Sequence, residues 1–177
     1  MGVRAAARGN PTGFGRTLMA AEGTVPMETT QGYATPTVTQ FSVFLDNRVG
    51  RLHELVAAFD RSAAKICALS VHEASDYAVV RIIANRAAIA SRILKEQRLP
   101  YGEKEVLVVE LSEGHSLESL CLSLLGAELN IHFAYPLMSL PNGTATIALS
   151  VDDMTLAGQI LRRKCFRLFG EADLPAA

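Results

Sequence analysis

The 177-residue sequence has no long apolar run, almost no excess charge and few cysteines. Its longest apolar stretches, such as "EVLVVEL" and "TATIALSV", fall well short of the roughly 20 residues that cross a bilayer as a helix, so no membrane partner is expected. The 17 basic and 18 acidic side chains nearly cancel, and that balance gives no reason to expect nucleic acid. Three cysteines, Cys67, Cys121 and Cys165, are odd in number and far apart, which fits a reducing cytoplasm rather than a disulfide framework. Each is expected to serve as a small buried hydrophobe.

Recognisable reaction chemistry is also missing. There is no Walker-type phosphate loop, no G-x-S-x-G elbow and no compact Ser-His-Asp pattern, so no catalytic residue is assigned and an enzyme is not expected. His53, His72, His115 and His132 share no ligand spacing with one another or with the cysteines, so neither metal nor cofactor is expected. The stretches "YAVVRIIA" and "TATIALSV" lack the interleaved aromatics and bases of sheet-based RNA binders.

What is present begins at about residue 39. Residues 1–38 are rich in Gly, Ala, Thr and Pro without sustained periodicity, and read as a flexible extension. Arg4, Arg8 and Arg16 precede the first acid, Glu22, so a targeting segment is weighed against a non-native leader with Met27 as an alternative start. Beyond it, Phe41, Val43 and Leu45 alternate as in a strand, and Leu52, Leu55, Val56 and Phe59 follow at helical spacing. "AKICALSVHEA" and "YAVVRIIA" predict two strands turning at Ser75 and Asp76, and Ile89, Ile93 and Leu94 mark a helix that stops before Pro100.

The same pattern then returns. An offset of 65 carries Phe41 to Val106, Leu55 to Leu120, Phe59 to Leu124 and Ile66 to Ile131. An offset of 67 carries Val80 to Ile147, Ile89 to Leu156 and Leu94 to Leu161. The two extra residues fall in the second hairpin turn, where "LPNGT" supplies Asn142 and Gly143. Two β-α-β-β-α copies result, each closed by a short strand near "LPYGEKE" or "CFRLFG". The expected fold is α+β: two tandem ferredoxin-like (βαββαβ) units spanning 39–104 and 105–172, with antiparallel sheets, helices on one face and a tail at 173–177. Pro136 cannot donate to a ladder and belongs at an edge or bulge. Units this small leave a sheet face and strand edges to cover, so the copies should pack together and homodimerise.

The loop "DNRVGRL", Asp46 to Leu52, joins the first strand to the first helix. Free N–H groups and the positive helix end converge there, Gly50 permits close approach, Asn47 offers an amide and Asp46 a partner for an ammonium. Asn47 as a simple helix cap and Gly50 as a simple turn residue account for the same spacing. Strand, "DNRVGRLHELVAAFDRSAAKI", strand, hairpin and helix resemble the ACT domain, a ferredoxin-like amino-acid-binding regulatory module. In that family an Asp-Arg-Pro-Gly loop precedes the helix. Asn47, Arg48, Val49 and Gly50 match it, with Val49 for proline and Asn47 for aspartate.

The resemblance implies that a free amino acid binds through Asp46, Asn47, Arg48, Val49, Gly50, Arg51 and Leu52 at an interface with another ACT unit. It implies a cytoplasmic regulatory protein of amino-acid metabolism. The alternative is a non-catalytic subunit of a biosynthetic enzyme such as acetolactate synthase that binds no ligand. The second loop, "LSEGHSL", departs further: Ser112 and His115 stand where Asn47 and Gly50 would, and Gly114 comes one place early, so a structural role is expected there. His115 is expected to be exposed and without a ligand or acid-base role.

Overall fold

The computed structural model describes residues 34–74, 76–139 and 141–175. Most of the N-terminal extension, Ser75 of the first hairpin turn and the last two residues of the tail lie outside these ranges. Strand β1 (Val38–Asp46), helix α1 (Arg51–Asp60), β2 (Ile66–Ala74), β3 (Tyr77–Ala84) and α2 (Ala87–Glu96) come in the expected order. They are followed by β4 (Tyr101–Leu111), α3 (Leu117–Leu125), β5 (Ile131–Pro136), β6 (Ala145–Val151), α4 (Met154–Arg163) and β7 (Leu168–Phe169).

The strands form one antiparallel sheet in the order β2-β3-β1-β4-β6-β5, with β7 also on β4. Strand β4 serves both copies. Its first half, Tyr101 to Val106, pairs with β1, and its second half, Leu107 to Leu111, pairs with β6. β7 meets it at Val108 and Val109, just past the end of β1. Pro136 ends β5, an edge strand carrying a register shift between Ile131 and Phe133, where a missing N–H costs little.

Period-two alternation sorts the core into three clusters. Phe41, Val43 and Leu45 of β1 face α1 and α2, meeting Leu55, Phe59, Ile93 and Leu94. Leu107 and Val109 of β4, with Ile147, Leu149 and Val151 of β6, face α3 and α4 and meet Leu120, Leu124 and Leu161. The residues between them in sequence point the other way, and the helix-free faces of the two halves fold onto each other. Val38, Ala68, Ile83, Val106 and Val108 pack there against Tyr135, Leu137, Ala148 and Phe169. One chain thereby covers its own open sheet face.

This middle layer holds a polar pair: the buried Tyr135 hydroxyl donates to Gln40 Oε1 at 2.7 Å, joining β5 to β1. The Met138 and Ser139 N–H groups donate to the Cys67 carbonyl at 2.8 and 3.3 Å, so the segment after β5 meets β2. The chain ends are exchanged as well. Thr35, ahead of β1, sits against Gly158 of α4 so closely that a Cβ there would fall 2.6 Å from its Oγ1. In return Glu171, beyond β7, accepts the Ala87 N–H at the start of α2 at 2.7 Å, and the Pro175 carbonyl accepts from Asn85 Nδ2 at 3.0 Å.

Of the cysteines only Cys67 is buried; Cys121 and Cys165 are exposed, which corrects the expectation for both. Burial pushes the Cys67 thiol above its ordinary range. Among the described residues no helix is long and apolar enough to cross a membrane.

Candidate functional site

The loop that follows β1 turns sharply: the Arg48 N–H donates back to the Asp46 carbonyl at 2.7 Å, and Arg51 N–H to the Arg48 carbonyl at 3.3 Å. Gly50 occupies the N-cap position of α1 with φ of +93°, a left-handed conformation that glycine takes without penalty. Among the described residues a Cβ on Gly50 would meet nothing within 4 Å, so they leave the loop open above it.

Asn47 is not the cap. Its Nδ2 donates to Glu73 Oε1 on β2 at 3.1 Å, and its N–H to the Asp76 carbonyl at 3.3 Å, so it ties the loop to the β2–β3 hairpin. Among the described residues no side chain caps α1. Glu54 N–H reaches the Gly50 carbonyl, while among the described residues the N–H groups of Leu52 and His53 have no acceptor. Arg51 joins Glu54 at 2.6 Å through Nη1, and its Nε is buried without a partner. The first turn of α1 thus keeps unpaired N–H groups at the positive end of the helix dipole, where an anion is favoured.

The seven predicted site residues therefore run from the end of β1, Asp46, through the turn at residues 47–50 to Arg51 and Leu52 at the start of α1. Asp46, Asn47, Arg48 and Val49 are exposed, Val49 completely, and Leu52 is 37% exposed rather than fully part of the helix's buried face. The hollows between α1 and α2, about 430 Å³, and between α3 and α4, about 380 Å³, are lined by other residues.

The matching loop of the second copy is closed. Gly114 also has positive φ, +79°, but the next residues are engaged: Ser116 Oγ accepts the Ser119 N–H at 3.2 Å and caps α3. His115 is half-buried rather than free, with Nε2 3.1 Å from the Lys164 carbonyl and its ring edge-on to Phe166 at 4.8 Å. It fastens the loop to the end of α4. Sequence spacing gave no hint of a partner 49 residues away. Among the described residues no three His, Cys, Asp or Glu side chains converge as metal ligands.

The family described as the ACT domain pair matches residues 36–174. The chain belongs to that family. It carries an ACT domain pair, a regulatory module that commonly binds amino acids. Among solved structures, the protein BT0572 from Bacteroides thetaiotaomicron is 22% identical with a TM-score of 0.68, over 77% of this chain and 94% of that one. This shows a common fold. Aspartokinase alpha and beta subunits also match, at 11% identity and a TM-score of 0.45, over 74% of this chain and 97% of that one. No curated protein matches the sequence.

Proposed function

We propose that this ACT pair is a cytoplasmic regulatory protein of amino-acid metabolism, and that a free amino acid binds at the Asp46–Leu52 turn. The observation that carries the reading is the uncapped start of α1: among the described residues Gly50 is open and left-handed, and the Leu52 and His53 N–H groups have no acceptors. A ligand carboxylate satisfies these donors and the helix dipole together. In this reading Asp46 receives the ammonium. Because nothing among the described residues stands over Gly50, a second ACT unit, supplied by a homodimer, encloses the ligand. Binding then changes how that dimer or an enzyme partner assembles.

The alternative is a non-catalytic subunit that associates with a biosynthetic enzyme such as acetolactate synthase without ligand. One observation favours it: α3 exposes Leu117, Leu122 and Leu125 at 50, 59 and 70%. Calorimetric titration of the twenty amino acids into the chain tests the choice. The proposal expects saturable binding to at least one, weakened tenfold or more by Gly50→Ala, a loss of about 1.4 kcal/mol. No binding at millimolar concentration, or binding indifferent to that change, leaves the subunit reading.

A further inference from the structure

The mouth of the layer between the two helix-free faces carries a second charged arrangement, away from the Gly50 turn. Arg81 of β3 stands with its guanidinium carbon 4.4 Å from the centre of the Phe133 ring, and Lys104 of β4 with its ammonium 5.4 Å from the same centre. The two cations are therefore no further apart than those distances together allow. Like charges held against one ring repel, more so beside a buried layer than in water. Arg81 is half-buried and Lys104 exposed. Among the described residues neither has a carboxylate partner.

The neighbours are hydroxyls. In the sheet register Arg81 lies directly opposite Ser42 on β1 and Ser70 on β2, so the three share one face. Ser42 Oγ accepts from Gln40 Nε2 at 3.1 Å, which leaves its own O–H free to donate outward. The floor is tied to the buried layer: Phe133 stacks on Tyr135 with ring centres 6.1 Å apart, and Tyr135 is hydrogen-bonded to Gln40. Ring attraction stabilises each cation singly but does nothing for their mutual repulsion. An anion between them would.

We propose that Arg81, Lys104 and the Ser42 hydroxyl form a binding site for a dianionic oxyanion, a phosphate group, at the edge of Phe133. The planar guanidinium presents a fork that matches phosphate oxygens, and Lys104 adds a point charge from the second side. This site lies on the helix-free face, uses none of the residues of the Gly50 turn, and does not depend on amino-acid binding there.

Calorimetric titration of the full chain with inorganic phosphate, at ionic strength held constant with chloride, tests the site. Malonate serves as the dicarboxylate arm. Saturable binding of one phosphate per chain is expected, tighter than malonate, and weakened at least tenfold by Arg81→Gln and by Lys104→Gln. Lys164→Gln, which removes a cation elsewhere, should leave it unchanged. Lys104 is exposed, so its variant keeps the test valid even if Arg81→Gln disturbs the fold. Absence of saturable binding at ten-millimolar phosphate, equal loss in Lys164→Gln, or tighter binding of malonate overturns the proposal. Phosphate binding in a chain that binds no amino acid would refute the Gly50 reading and leave this one standing.

Discussion

The two strand-to-helix turns occupy equivalent places in the repeat and end in opposite conditions. In the second copy Ser116 caps α3 and His115 is fastened to Lys164 and Phe166. In the first, Asn47 is drawn away to Glu73, and a left-handed Gly50 leaves the start of α1 uncapped. A helix end that spends its donors on its own side chains has none for a ligand, whereas one left bare has them at a cost in stability. Duplication allows both in one chain: one turn holds structure and the other stays available.

The largest effects should show whether the copies differ in stability or only at their turns. Phe59→Ala and Leu124→Ala empty equivalent, fully buried positions of the outer clusters. Each should cost about 3–5 kcal/mol for Phe and 2–5 for Leu. Because the middle cluster and β4 join the halves, urea unfolding should stay a single transition in both variants, by far-UV and tyrosine signals alike. Separate transitions would make the copies independent.

Next in size is the bond that joins the halves. Tyr135→Phe leaves Gln40 Oε1 buried without its donor and should cost about 1–3 kcal/mol. The same residue sets an alkaline limit. Burial raises the folded phenol well above its ordinary range, with the Arg81 charge opposing it, so the unfolded chain loses this proton first. Stability is therefore intact below about pH 10, the ordinary tyrosine value, and falls as pH rises beyond it. Chemical denaturation at pH 8, 10 and 11 should show that decline, and Tyr135→Phe should flatten it.

Gly50→Ala and Gly114→Ala each put a side chain at positive φ and should each cost about 1 kcal/mol. Only the first should weaken amino-acid binding in the titrations already described. Smallest are the caps: Ser116→Ala should lose about 1 kcal/mol, and Asn47→Ala less, because it breaks an exposed bond and no cap. Equal losses in thermal melts would mean that Asn47 orders the first turn as strongly as Ser116 orders the second.

The offset of 65 slips the first strand by one residue, setting the helix-facing Phe41 on Val106 of the middle layer, whereas Leu107 is the residue that faces the helices. Much of the remaining architecture was legible because alternation and helical spacing are local, and because offsets of 65 and 67 bring Leu55 and Val80 onto Leu120 and Ile147. The continuity of β4 was not. Gly102 and the run Glu103, Lys104, Glu105 read as the short closing strand of the first copy, apart from the strand that opens the second, yet they lie exposed in one and the same strand with it. The fold-over of the sheet was hidden too, since Gln40, Ser42 and Arg81 on the inward face look like solvent residues until Tyr135 and Phe133 arrive from β5. Arg98, Glu128 and Cys165 close α2, α3 and α4 with positive φ, a role that composition assigns to glycine. Asn47 looked like a cap because Glu73, its partner, lies 26 residues on.

Tandem repeats ordinarily meet at a seam where the chain can lengthen, since few contacts cross it. Here the seam is the middle of β4, with β1 holding the residues before Leu107 and β6 those after it. An insertion between the copies would shift the register of one half against the other and turn inward-facing side chains outward. Growth by insertion is thus confined to turns such as Pro141–Gly143, where this chain already carries its two extra residues. For descendants of this gene the two copies are one indivisible piece, open to change at the hairpins and closed to it at the join.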